Sequence, residues 1–236
     1  GHIPGSLGSL IVQYISSLLG VDITNYQNIF NVLIGGLPDI TLRSGSFDRP
    51  SYSPDQMQTA FHELGHASHY RAAGNNWWRD LIWAEVFPNG QCGGYGCGTG
   101  NNDGLIQVAE SWAEFIGTTH ALIRYPNGQM RSAFFQTFAN PEGFVRLDVA
   151  LEEENWFVNN WIPTGIFNDL RDPGGNPFET WDNVQGATIR QLFSPFDPWI
   201  RTPCDYYFRF TQLYWSQFGF QPVLDIFNAH DINCAL

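Results

Sequence analysis

The stretch FHELGHASHY, residues 61–70, places His62, Glu63 and His66 close together in the chain. On an α-helix each residue turns about 100°, so His62 and His66 stand on one stripe, one turn apart. That spacing lets two imidazoles share one tetrahedral metal ion. Glu63, one step round, lies near such an ion without ligating it. A metal held by two side chains is incomplete, so any fold that uses this stretch must bring a further ligand against the same helix face.

The surrounding residues favour the helix. SYSPDQMQTAFHELGHASHYRAAG reads as a helix from about 54 to 73, with Ser53 as N-cap, Pro54 in the first turn and Gly74 as the stop. The stripe away from the histidines carries Met57, Phe61, Leu64 and Ser68, of which Phe61 and Leu64 suit a core. With six His and nine Glu among 236 residues, H-E-x-x-H arises by chance roughly once in two hundred such chains.

The third ligand cannot come from the same helix. A three-histidine continuation would need His six positions after His66, and Ala72 stands there. His69 shares the stripe but sits about 10 Å of helix rise beyond His62. It reads as a residue of the cleft or behind the ligands, or as an exposed helix residue. The better source is VAESWAEFIG within a second strong helix, LIQVAESWAEFIGTTHALI. Glu110 and Glu114 lie four apart on one face, while Ala109, Trp112, Ala113, Phe115 and Ile116 fill the other. Like charges at this spacing disfavour a helix slightly, so compensating positive charge is expected nearby. A metal ion and an imidazole N–H would supply it, with Glu110 as ligand and Glu114 as the carboxylate that orients a ligating histidine. A solvated acidic stripe is the competing reading.

H-E-x-x-H on one helix and E-x-x-x-[DE] on a later one resemble the gluzincin branch of zinc metallopeptidases, the thermolysin-like arrangement. More loosely, HELGHASHY, AESWAEF and GIFNDLRD are similar to secreted bacterial metallopeptidase domains of that type. The specific part spans about residues 54 to 117. The resemblance implies His62, His66 and Glu110 as ligands of one catalytic zinc ion, Glu63 as general base and Glu114 as support for a zinc histidine. It also implies a zincin-like α+β fold, mainly α. A small mixed N-terminal lobe and a helical C-terminal lobe, about residues 1–75 and 76–236 of one catalytic domain, would flank a cleft. PDITLRS, 38–44, stands where such enzymes place a cleft-edging strand. Residues 9–19 and 25–34 read as helices, so the sheet that precedes this strand in a complete zincin is reduced or lies outside the chain. The interval from His66 to Glu110, 110 − 66 = 44 positions, is longer than in thermolysin-like enzymes. An aspartate-type third ligand fails because Asn102 occupies its place.

The activity implied is endopeptidase hydrolysis of a protein or peptide substrate. Tyr95, His120, Tyr206, Tyr207 and His230 could each stabilise the oxyanion by residue type. Packing for the tyrosines and surface exposure for the histidines compete equally, so none is assigned. Asp169 and Asp172 could support the site, but a helix surface or pairing with Arg171 is expected of them. Two other functions remain open: a non-catalytic surface domain binding glycan or protein on a zincin fold, and a zinc hydrolase of a non-peptide bond. Intact Glu63 argues against the former, because a structural zinc has a closed shell and no use for a base.

Composition bounds the setting. The formal net charge is −12, and all eleven basic residues are Arg. That balance argues against nucleic acid or an anionic membrane as partner. No apolar run approaches the ~18 residues of a membrane span. The start, GHIPGSLG, has neither a charged segment nor an initiator Met and reads as an artificial or processing boundary. Four cysteines pair with least demand as Cys92–Cys97, around a Gly-rich loop, and Cys204–Cys234. An even count with few charges and many aromatics favours an exported protein, secreted or on a bacterial cell surface. Four buried thiols in a cytosolic protein are the alternative. A monomer is expected.

Overall fold

The computed structural model describes residues 53–86, 102–124, 162–172, 181–184 and 186–234. These residues are mainly helical. Six helices follow in chain order: α1 (Ser53–Val86), α2 (Asp103–Arg124), α3 (Ile166–Arg171), α4 (Ile189–Phe193), α5 (Pro203–Phe218) and α6 (Phe220–Ala229). Among the described residues no strand longer than a single bridge position, Ile162, is present. The expected strand 38–44, the helices 9–19 and 25–34, and the Cys92–Cys97 pairing lie outside the described residues. No described helix is long and apolar enough to cross a membrane.

The pairing of α1 with α2 is the largest contact between elements. Two small residues allow it. A Cβ on Gly65 would stand 2.8 Å from the Ala113 Cα, and one on Gly117 would stand 2.9 Å from the Gln58 carbonyl and 3.0 Å from the His62 Cβ. The backbones meet there, and side chains one turn on either side interdigitate. Trp112 donates its indole N–H to Ser68 Oγ at 2.9 Å, and Ser68 in turn donates to the Gly65 carbonyl at 2.7 Å. Gly65→Ala or Gly117→Ala should gain up to ~1 kcal/mol of helix propensity. Overpacking against backbone offsets this by ~1–3 kcal/mol. The expected net result is a lower denaturant midpoint for each variant, larger for both together. A midpoint raised by the full propensity gain would show that the helices separate without penalty.

Helix α1 differs from expectation at its C-terminal end. Gly74 does not end it. The backbone passes through a left-handed conformation there (φ 82°) and helix resumes to Val86. Glycine takes that conformation without the Cβ clash other residues meet, so Gly74 kinks the element instead of stopping it. The expected boundary between lobes, 75/76, falls just after this kink. Beyond it Trp77 and Leu81 enter the core, and Trp77 donates its indole N–H to the Ile200 carbonyl at 2.7 Å.

The core continues through Leu105, Trp112 and Phe115 of α2, Phe167 of α3, Phe196, and Tyr206 of α5. Trp112 meets both Phe167 and Phe196 edge-on, at 5.4 and 5.0 Å between ring centres. The short helices are capped from sequence: Thr188 and Gln191 form a reciprocal capping box on α4, and Thr202 caps α5 with Pro203 at its start. Cys204 and Cys234 form the expected disulfide, tying α5 to the segment after α6.

Behind α3 lies a buried polar group. Asp169 pairs with His230 at 3.0 Å, and both side chains are almost fully buried. Asp182 is also buried, and its Oδ1 accepts the Val184 N–H at 3.0 Å. Burial, reinforced by hydrogen bonding to Asp172, pushes the Asp182 carboxyl up from 3.8 to about 8. A carboxyl raised on folding contributes most when protonated. Its contribution is complete below pH 3.8 and is lost as pH rises through about 8. Asparagine supplies the donor of the protonated acid and cannot ionise. Asp182→Asn should therefore melt higher than the parent at pH 8, with the gap closing toward pH 4. An identical gap across that range would refute a retained proton.

Candidate metal centre

Helix periodicity places His62 and His66 together, and the α1–α2 crossing decides what faces them. Their Nε2 atoms are 3.1 Å apart. Glu110 inserts between them from α2: its Oε2 is 3.5 Å from His62 Nε2, and its Oε1 is 3.5 Å from His66 Nε2. Donors around a tetrahedral zinc with bonds near 2.05 Å are about 3.3 Å apart. The pairwise separations lie near that value, with a different Glu110 oxygen facing each histidine. Among the described residues, His62, His66 and Glu110 are the one group of three or more His, Cys, Asp or Glu able to hold a metal ion, with donor atoms all within 4.8 Å.

The electrostatics call for a cation here. Glu110 is 3% exposed, and its Oε2 has no hydrogen-bond partner. A buried ionised acceptor left in that state is costly unless positive charge faces it. Burial pushes the Glu110 carboxyl up, yet the His66 and His62 imidazoles outweigh this and hold it below its ordinary value. Burial alone would lower His62, but the Glu110 and Glu114 carboxylates overcome it and raise its pKa from 6.5 to about 10. His66, buried and beside the His62 charge, is lowered to about 4. His62 is thus the more basic imidazole of the two, and their Nε2 atoms face one another beside Glu110. The residues present are of the kind that suits zinc: two imidazole nitrogens and one carboxylate, close enough to converge on one ion.

Glu114 sits one turn beyond Glu110, 5% exposed. Its Oε2 meets His62 Nδ1 at 3.2 Å, on the side of the ring away from Glu110. Neither glutamate belongs to a solvated stripe. Glu63 is half-buried on the same helix. Burial raises its carboxyl above the ordinary value, with His62 opposing and Glu110 adding to the shift.

Other residues fall differently from expectation. Of the readings left open for His69, exposure fails: it is fully buried, its ring 4.4 Å from Trp77 and 4.8 Å from Phe196, and among the described residues neither ring nitrogen has a hydrogen-bond partner. Burial, with the neighbouring His66, lowers its pKa to about 3, so it is a neutral packing residue. The kink at Gly74 explains this, because it folds the two tryptophans back over the histidine stripe. Trp78 meets His66 edge-on at 5.6 Å. Leu64, expected in the core, is 45% exposed; the face that packs on α2 runs instead through Gly65 and Ser68.

Of the oxyanion candidates, Tyr206 is buried and donates to the Leu192 carbonyl at 2.7 Å. Tyr207 is buried against Phe227, and His230 is committed to Asp169 instead of lying on the surface. Asp169 therefore serves the core and not a helix surface. His120 stacks on Phe61 at 4.9 Å, next in sequence to His62. Tyr95 lies outside the described residues. Sequence reasoning missed Gln58 and Thr118, which both hydrogen-bond Glu114. Their positions one turn from His62 and one turn from Glu114 were the available signal.

No family model, curated protein or solved structure matches the chain.

Proposed function

We propose that this protein is a zinc-dependent endopeptidase of the gluzincin, thermolysin-like kind, acting on a protein or peptide substrate. The observation that carries the proposal is the convergence of His62, His66 and Glu110 at metal-donor spacing, with Glu63 beside them on α1. His62 and His66 would hold the ion through Nε2, and Glu110 through its carboxylate. When bound, zinc supplies Lewis-acid polarisation and lowers the pKa of water toward ~7. Glu63 would accept a proton from the attacking water as the C–O bond forms, and would then pass it to the amide nitrogen so that the tetrahedral adduct breaks its C–N bond and releases amine and carboxylic acid. Glu114 holds His62 in the tautomer that turns Nε2 toward the ion. The described residues are mainly helical, which is compatible with the helical lobe of a zincin-like domain; the small mixed N-terminal lobe is part of the proposal. The Cys204–Cys234 disulfide supports a secreted or cell-surface setting.

A second reading has one observation in its favour. Trp199 is 82% exposed, and Trp215 (59%) stacks on Phe220 (54%) with rings only 10° from parallel. Such aromatics suit a non-catalytic domain that recognises glycan or protein at a surface. Digestion of casein and of a peptide library, with and without a chelator, separates the two. Chelator-sensitive cleavage supports the peptidase. Full zinc occupancy with no cleavage of either would favour the binding domain.

A further inference from the structure

We infer that Gln58 and Thr118 are positioning residues for the metal-facing edge of His62, acting through Glu114. The inference rests on the metal-site reading above and extends it outward. Glu114 Oε1 accepts two hydrogen bonds, from Gln58 Nε2 at 2.9 Å and from Thr118 Oγ1 at 3.1 Å. Its Oε2 is left to His62 Nδ1 at 3.2 Å.

The clamp follows from helix spacing. Gln58 is four residues before His62 on α1, and Thr118 is four after Glu114 on α2. Each is therefore on the same face as the residue it serves, one turn away. The two arms approach Oε1 from opposite helices where Gly117 rests on the Gln58 backbone. Mid-helix threonines commonly turn their hydroxyl to the carbonyl one turn back. Thr118 instead donates to a carboxylate, and it is 1% exposed.

Two donors on Oε1 have a consequence for the third contact. They hold Glu114 as an acceptor and limit rotation of its carboxylate, so Oε2 stays directed at the ring. The hydrogen in the remaining contact then belongs to His62 Nδ1. With Nδ1 held as the donor, Nε2 is the nitrogen that faces His66 and Glu110, and its lone pair becomes available to a metal once the ion displaces the proton there. His66 has no such support: its Nδ1 is buried without a hydrogen-bond partner, and Trp78 borders its ring. Among the described residues, orientation of the site by hydrogen bonding thus runs through the His62 side.

The test uses the full chain, with zinc affinity measured by competition against a chromophoric chelator and the visible spectrum of the cobalt-substituted protein as second readout. Gln58→Met and Thr118→Val remove one donor each at similar volume. Each should weaken zinc by about 10-fold, and both together by up to ~100-fold, the range for residues that orient a ligand. The cobalt bands should shift in each. Thr118→Ser, which keeps the hydroxyl, should return affinity to within about twofold of the parent. In a Glu114→Gln background Gln58→Met should add nothing, because the carboxylate it orients is gone. Unchanged affinity and spectra in both donor variants would overturn the inference, as would an equal loss in the Glu114→Gln background. If Gln58→Met fails to fold, the Thr118→Val and Thr118→Ser pair decides alone. A parent protein that takes up neither zinc nor cobalt would overturn the metal reading, and this inference with it.

Discussion

Glu63→Gln is expected to keep its zinc and its fold while hydrolysing peptide bonds roughly 10²–10⁴-fold more slowly, the usual worth of a positioned general base. The change is isosteric and touches neither His62, His66 nor Glu110. What it removes is the proton acceptor. A carboxamide cannot take a proton from water at neutral pH, so polarised water loses its route to hydroxide. Substrate binding should survive, placing the loss in kcat and leaving KM nearly unmoved. Three measurements define the outcome: metal content, thermal midpoint, and turnover on the best substrate from the library. Undiminished turnover with zinc present would remove Glu63 from the mechanism.

Glu110→Ala should lose zinc outright during purification. Residues that merely orient a ligand alter affinity 10–100-fold, so removing one of three ligands should exceed ~100-fold. His62→Ala should do the same. The metal-free Glu110→Ala protein should still fold, because the substitution also removes a buried acceptor that has no hydrogen-bond partner. Elemental analysis reads the result directly. Full zinc occupancy in Glu110→Ala would reassign the third ligand, with Glu114 next in line since it already contacts the other edge of His62.

Much of this site was legible before any fold was known. The i, i+4 spacing of His62 with His66, and of Glu110 with Glu114, puts each pair on one helix face whatever surrounds it. The helical C-terminal end and the Cys204–Cys234 pairing were similarly local or nearly so. Gly74 was read for its ability to stop a helix. The same property, access to a left-handed backbone, let it kink one instead, because Trp77 and Leu81 had a core to enter beyond it.

What the sequence by itself determined, then, was register: which residues share a stripe, since a helix repeats every 3.6 residues and needs no partner to do so. Azimuth was decided only by tertiary structure. Leu64, expected in the core, is exposed, and His69, whose place the sequence left open, is buried, because burial depends on the facing surface, and α2 meets α1 through Gly65 and Gly117, residues with no side chain to announce a contact. The division of labour between the two glutamates arose in the same crossing. It set Glu110 against the Nε2 atoms and Glu114 against His62 Nδ1, one helical turn apart and on opposite edges of one imidazole.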